Sequence, residues 1–219
     1  MNFSSILKNW YLYVITDEQL SNGRSHIEIA RFAIEGGADV IQLRDKTASS
    51  RKLYEDAIAI RKITRDADVS FIVNDRLDIA LAVDADGVHV GQKDLPAKVA
   101  RRLIGSDKIL GVSAETVEQA IQAEQDGADY LGVGPIFEAR STKPDAGEPM
   151  GLVLLREIQC RCKIPVIAIG GINQQNASET IQAGADGIAV ISAIVSAQDI
   201  ASVSHELKKI VLKERKIRD

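Results

Sequence analysis

Two carboxylates, Asp75 and Asp94, each follow a short apolar run, Phe71-Ile72-Val73 and Gly87-Val88-His89-Val90. Each also has a side-chain amide nearby, Asn74 and Gln92. Between the runs, Leu77, Ile79, Ala80, Leu81 and Val83 fit a short helix. Two strands joined by a crossover helix run parallel, so both carboxylates fall at one edge of one sheet. Oxygen donors gathered there suit a hard divalent cation. The same residues also read as helix caps, Asp75 for the helix that follows and Asp94 for the one beginning near Pro96.

A second group is cationic. Gln42, Arg44 and Lys46 belong to the stretch Gln42-Leu43-Arg44-Asp45-Lys46, and strand alternation turns Gln42 and Arg44, with Lys46 after them, to one side. Two cations and an amide suit a diphosphate, although a surface charge cluster would read the same way. Ser113 follows the run Ile109 to Val112 and is either a ligand contact or the cap of a helix starting near Glu115. His89 lies inside an apolar run and reads as a satisfied core residue.

A third group suits a second anion. The turn-rich stretch Glu138 to Met150 carries Arg140, Ser141, Thr142 and Lys143, all able to donate to phosphate. Long irregular segments in compact domains are usually functional lids or disordered, and residues 137–150 read as a lid over the site. Gly170-Gly171-Ile172-Asn173 and Val190-Ile191-Ser192-Ala193 end two further apolar runs. Glycines there let the backbone approach an anion, and the amides of a following helix point at it. Gly-Gly also makes a good turn without any ligand. Together the groups imply two phosphorylated substrates, or one with phosphate at each end.

The elements that must position these residues follow a repeat. Gly37-Ala38-Asp39, Asp84-Ala85-Asp86-Gly87, Gly127-Ala128-Asp129 and Gly184-Ala185-Asp186-Gly187 each follow a helical pattern and precede an apolar run. Gly ends the helix in a left-handed conformation and Asp leads into the next strand. Runs at Tyr11–Ile15, Val40–Leu43, Phe71–Val73, Val88–Val90, Ile109–Val112, Tyr130–Val133, Val166–Ile169 and Ile188–Ile191 give eight strands, short and rich in branched residues as buried parallel strands are. Helical patterns separate them, and a last one spans about Asp199 to Ile217. Eight strand–helix units predict an α/β fold, a parallel (β/α)8 TIM barrel, with its site at the carboxyl ends of the strands. An open doubly wound sheet is the rival, but no Gly-rich dinucleotide fingerprint follows the first strand. Residues 1–219 read as one domain, with 1–10 as an N-terminal extension.

Composition agrees. The chain has 219 residues, long enough for a single barrel. Apolar residues make up 45% and aromatic residues only 4%, so the core is aliphatic. There are 27 Lys and Arg against 31 Asp and Glu, and this balance does not suit nucleic acid. No apolar run reaches the roughly 20 residues of a membrane helix, and Met1 to Tyr11 lacks the features of a signal peptide. Cys160 and Cys162, one residue apart, make neither a structural disulfide nor a zinc site. The reading is a cytoplasmic protein.

The residues at 42–46 (QLRDK), 74–75 (ND), 89–94 (HVGQKD), 111–114 (GVSA), 141–147 (STKPDAG), 169–172 (IGGI) and 184–194 (GADGIAVISAI) resemble the thiamine-phosphate synthase family. The resemblance runs from about Tyr11 to Ile194. It implies a transferase that joins a pyrimidine diphosphate to a thiazole phosphate, giving thiamine monophosphate and pyrophosphate with Mg2+. On this resemblance Gln42, Arg44, Lys46, Asn74, Ser113 and Lys143 bind the diphosphate, with Arg44, Lys46, Ser113 and Lys143 as the catalytic set. Asp75 and Asp94 hold magnesium. Arg140, Ser141, Thr142, Gly171, Ile191 and Ser192 bind the thiazole phosphate. The family is thought to pass through a pyrimidine cation, so no protein nucleophile is needed. It usually reads Thr-x-Thr-Lys after strand six, whereas Arg140-Ser141-Thr142-Lys143 stands here, with one extra residue after Phe137. Two rivals share the barrel: a thiazole tautomerase, which generally lacks the aspartates and the cationic motif, and a non-catalytic phosphate-ligand sensor. A homo-oligomer is left open.

Overall fold

A computed structural model describes residues 3–139 and 148–218. Eight parallel strands close into a barrel in sequence order: β1 (Leu12–Ile15), β2 (Val40–Leu43), β3 (Ser70–Asn74), β4 (Gly87–Val90), β5 (Ile109–Ala114), β6 (Tyr130–Val133), β7 (Val166–Ile169) and β8 (Gly187–Val190). β8 pairs with β1 through Leu12 and Ile188. The helices are α1 (Ser4–Leu7), α2 (His26–Glu35), α3 (Ser50–Asp66), α4 (Leu77–Ala82), α5 (Ala97–Ile104), α6 (Val117–Gln125), α7 (Gly151–Arg161), α8 (Ala177–Gln182), α9 (Ser192–Val195) and α10 (Ile200–Arg218). Eight of them fall where the apolar periodicity placed them. The short α1 and α9 carry too few residues for a period to show.

Strand alternation divides the core in two. Leu12, Val14, Ile41, Leu43, Val88, Val90, Leu110 and Val112 face outward and pack against the helices. Tyr13, Ile15, Val40, Ile72, Ile109, Tyr130, Ile167 and Ala189 fill the barrel itself. Leu7 and Trp10 join this inner cluster, and Trp10 Nε1 donates to Ser70 Oγ at 3.1 Å. Residues 3–10, expected in front of the barrel, therefore plug its amino-terminal end.

The four-fold repeat has a structural purpose. Its first residue adopts a left-handed backbone in every copy: Gly37, Asp84, Gly127 and Gly184. Its aspartate, leading into each even-numbered strand, clamps the strand before. Asp39 Oδ2 accepts from Leu12 N at 2.9 Å, Asp86 Oδ2 from Phe71 N at 2.7 Å, Asp129 Oδ2 from Leu110 N at 2.8 Å and Asp186 Oδ2 from Val166 N at 2.9 Å. Each carboxylate also pairs with a cation from a flanking helix, Lys208, Arg61, Arg101 and Arg215 respectively. The amino-terminal rim is thus held by ionic clamps, which leaves the polar residues of the opposite rim free for chemistry.

Candidate active site

At the carboxyl ends of β3 and β4, Asp75 and Asp94 come within hydrogen-bonding reach of each other. Neither caps a helix. Asp75 adopts a left-handed backbone, φ 60°, whereas an N-cap needs an extended one. Arg76 occupies the cap position of α4 and Pro96 that of α5, both without a capping side chain. Asp75 N donates instead to His89 O at 2.8 Å, which ties the end of β3 to β4. Asp94 Oδ2 accepts from Gly91 N at 2.7 Å and so closes the turn after β4. Burial and the adjacent Asp94 carboxylate push Asp75 up to about 6, against the downward pull of Lys46 and Arg44.

Gln42 projects into the barrel and is 2% exposed. Arg44 Nη1 reaches Asp17 Oδ2, at the end of β1, at 3.3 Å. Between Arg44 and Lys46, Asp45 turns away and accepts from the amides of Thr47 and Ala48, both at 2.8 Å. Burial pushes the Asp45 carboxyl up, but these amides, the Thr47 hydroxyl and His26 outweigh it and hold it down to about 2. Asp45 thereby fixes the loop that carries both cations. Asn74 ends β3, in register with His89.

A cavity of about 280 Å³ opens beside this group. Lys46, Gln92, Asp94 and Ser113 line one side, and Gly171, Ile191 and Ser192 another. Of the expected site residues, these six besides Gln92 meet in one space: Lys46, Asp94, Ser113, Gly171, Ile191 and Ser192. Asp75 joins them through its interactions with Asp94 and Lys46, and the Arg44 charge acts on Asp75 in turn. Arg140, Ser141, Thr142 and Lys143 lie outside the described residues, as does most of the expected lid. Ser113 does not cap α6, because Thr116 Oγ1 accepts from Gln119 N. Gln92 Nε2 donates to Ser113 O at 2.6 Å and joins the ends of β4 and β5.

His89 is satisfied, as expected of a core residue, but its partners matter. Its Nε2 lies 2.9 Å from Ser113 Oγ and its Nδ1 2.9 Å from Tyr130 OH. Tyr130 OH lies 2.8 Å from Tyr13 OH, and Gln42 Nε2 donates to Tyr13 OH at 2.7 Å. Two expected site residues are therefore joined through three side chains not counted among the site. Strand parity was the available signal: Tyr13, Tyr130 and His89 face inward like Gln42 and Ser113.

Two other features lie elsewhere. Glu18, His26 and Asp45 bring ligand atoms within 4.8 Å of one another. Each already serves the fold: Glu18 accepts from His26 N, and His26 Nδ1 meets Thr16 Oγ1 at 2.7 Å. A wide surface groove along α10, about 530 Å³, is lined by His205, Lys208, Lys209 and Lys213 and is remote from the strand ends. No helix among the described residues is long and apolar enough to cross a membrane.

The family model described as "Thiamine monophosphate synthase" matches residues 12–194. The thiamine-phosphate synthase of Chloroflexus aurantiacus is 58% identical over 203 residues, covering 93% of this chain and 93% of the relative. That of Moorella thermoacetica is 56% identical, covering 95% and 99%. Among solved structures, thiamine phosphate pyrophosphorylase from Pyrococcus furiosus superposes with a TM-score of 0.88 at 46% identity, covering 95% of this chain and 98% of that one. A 3-hexulose-6-phosphate synthase, 19% identical with a TM-score of 0.68, shares the fold alone.

Proposed function

The chain belongs to the thiamine monophosphate synthase family, and we propose that it joins 4-amino-2-methyl-5-(diphosphooxymethyl)pyrimidine to 4-methyl-5-(2-phosphooxyethyl)thiazole, giving thiamine monophosphate and pyrophosphate with Mg2+. One observation carries this reading. A half-buried carboxylate pair, Asp75 and Asp94, stands beside Lys46 and Arg44 at a cavity also lined by Gly171, Ile191 and Ser192. Cations at one end and a glycine-lined wall at the other match two phosphorylated substrates laid end to end.

In the proposed reaction the bond from the pyrimidine's exocyclic carbon to the diphosphate oxygen breaks, and the electron pair leaves with pyrophosphate. The thiazole nitrogen then forms the new bond to that carbon. Lys46 and Arg44, with Lys143, meet the negative charge that grows on the leaving group. Gln42, Asn74 and Ser113 hold the pyrimidine. Arg140, Ser141, Thr142, Gly171, Ile191 and Ser192 hold the thiazole phosphate. The lid at 137–150 excludes water, which would otherwise capture the electron-poor carbon.

The residues fit a magnesium ion. Two carboxylates pressed together under partial burial repel each other unless a proton or a cation sits between them. The raised Asp75 pKa reflects that demand. An all-oxygen pair is also the donor type magnesium prefers, leaving room for waters and substrate phosphate. Glu18, His26 and Asp45 fit less well, because their polar atoms are already engaged within the fold. Bound at Asp75 and Asp94, magnesium would supply positive charge to the leaving diphosphate. The test is magnesium binding by calorimetry in the presence of pyrophosphate. Heat of binding is expected in the unaltered chain and not in the doubly substituted Asp75→Asn, Asp94→Asn chain. Equal binding in both would remove the assignment.

A further inference from the structure

Gln42 and Ser113 lie three strands apart, on β2 and β5, yet a continuous hydrogen-bonded line joins them through the interior. The line runs Gln42 Nε2, Tyr13 OH, Tyr130 OH, His89, Ser113 Oγ, with spacings of 2.7, 2.8, 2.9 and 2.9 Å. Its middle is enclosed: Tyr13 is 1% and Tyr130 0% exposed. Burial raises both tyrosine hydroxyls above their ordinary range, so both stay protonated at neutral pH. The barrel makes room for the rings. A Cβ on Gly111 would lie 2.1 Å from Tyr130 Cζ, and one on Gly132 would lie 2.8 Å from His89 Cε1. Trp10, from the amino-terminal plug, packs edge-on against Tyr130 with ring centroids 5.1 Å apart.

The direction of the line follows from donor chemistry. An amide nitrogen can only donate, so Tyr13 accepts from Gln42. The buried Tyr13 hydroxyl then gives its proton to Tyr130, because an unmet buried donor is costly. Tyr130 in turn donates to His89 Nδ1. A neutral imidazole that accepts at Nδ1 carries its proton on Nε2, and Nε2 donates to Ser113 Oγ. Ser113, having accepted from inside, keeps its own proton for a ligand. Gln42, having committed Nε2 inward, keeps Oε1 as an acceptor.

We propose that Tyr13, Tyr130 and His89 are positioning residues that set opposite hydrogen-bonding polarity at the two ends of this line, making Ser113 a donor and Gln42 an acceptor toward the substrate. The inference rests on the proposed function for the identity of that substrate. An aminopyrimidine offers the complementary pair: a ring nitrogen to accept from Ser113 and an exocyclic amine to donate to Gln42. A pyrimidine with a carbonyl in place of the amine presents an acceptor to Gln42 and is disfavoured.

The test reads the line itself, without substrate. The chain has three histidines, and His89→Gln assigns the His89 resonances. Nitrogen-15 spectra at neutral pH are expected to show His89 as the neutral tautomer protonated on Nε2. A proton on Nδ1, or on both nitrogens, overturns the proposal even if the chain makes thiamine monophosphate. A second arm measures the Michaelis constant for the pyrimidine diphosphate in Tyr130→Phe, Ser113→Ala and the double variant. Each single change is expected to raise it at least about threefold, with the thiazole constant unchanged. The double change is expected to raise it less than the product of the two. A fully multiplicative effect overturns the coupling. If Tyr130→Phe does not fold, the tautomer measurement on the unaltered chain still decides.

Discussion

Asp75 and Asp94 end adjacent strands and approach within hydrogen-bonding reach of each other, beside Lys46 and Arg44. Asp75 sits at φ 60°, a conformation that Asn also tolerates, and Asp94 holds Gly91 N through an oxygen that Asn also has. Asp75→Asn and Asp94→Asn should therefore keep near-native melting temperatures. Each should lose at least about tenfold in turnover, or about 1.4 kcal/mol of barrier, as charge is removed from the metal site. Raising magnesium should restore part of the loss. Full activity at low magnesium in both variants would contradict the metal assignment.

The clamps at the opposite rim should show the reverse pattern. Asp129 accepts from Leu110 N and pairs with Arg101, so Asp129→Ala leaves a strand amide unmet and takes from Arg101 its carboxylate partner. We expect a loss of about 2 kcal/mol in urea unfolding. The turnover of the folded fraction should be unchanged, because the clamp lies a strand length from the cavity. A large fall in turnover without loss of stability would contradict this division of labour.

Asp45 should give the fold an acid-sensitive component. Its carboxyl is held down to about 2 in the folded chain, against about 3.9 when unfolded. A depressed carboxyl contributes stability above the unfolded value and loses it as pH falls through the folded one. Between about pH 4 and pH 2, the stability difference between the unaltered chain and Asp45→Ala should shrink by on the order of 1 kcal/mol, since solvent screens part of the interaction at this partly exposed site. Urea titrations at several pH values check this, and a constant difference would contradict it.

Arg140 is expected to contact the thiazole phosphate. Arg140→Thr should raise the Michaelis constant for that substrate several-fold and leave that for the pyrimidine diphosphate nearly unchanged. Unchanged constants for both would make Arg140 a bystander.

Much of the fold was legible because its signals are local. Runs such as Val40–Leu43, Tyr130–Val133 and Val166–Ile169 are continuous, branched and bounded by turn residues, and they became strands at those positions. The repeat's left-handed turns were legible for the same reason. The task of its aspartates was not, since Asp86 meets Phe71 N only once the sheet has closed. The plug formed by Leu7 and Trp10 was hidden too, because a four-residue helix has no period to read. At the site, residue type marked the charged groups, but Asp75 and Asp94 looked equally like caps until their backbone was known. His89 was set aside because a histidine in an apolar run is usually satisfied. It is satisfied, and one of its partners is Ser113. That pairing depends on the register of β4 against β5, which spacing along the chain does not reveal.

The most direct measurement supplies the purified chain with the pyrimidine diphosphate, the thiazole phosphate and magnesium, and follows thiamine monophosphate and pyrophosphate together. The account predicts equal amounts of both products, formed only when both substrates are present and suppressed when magnesium is chelated. Conversion of a thiazole alone, or ligand binding without any pyrophosphate release, would contradict it.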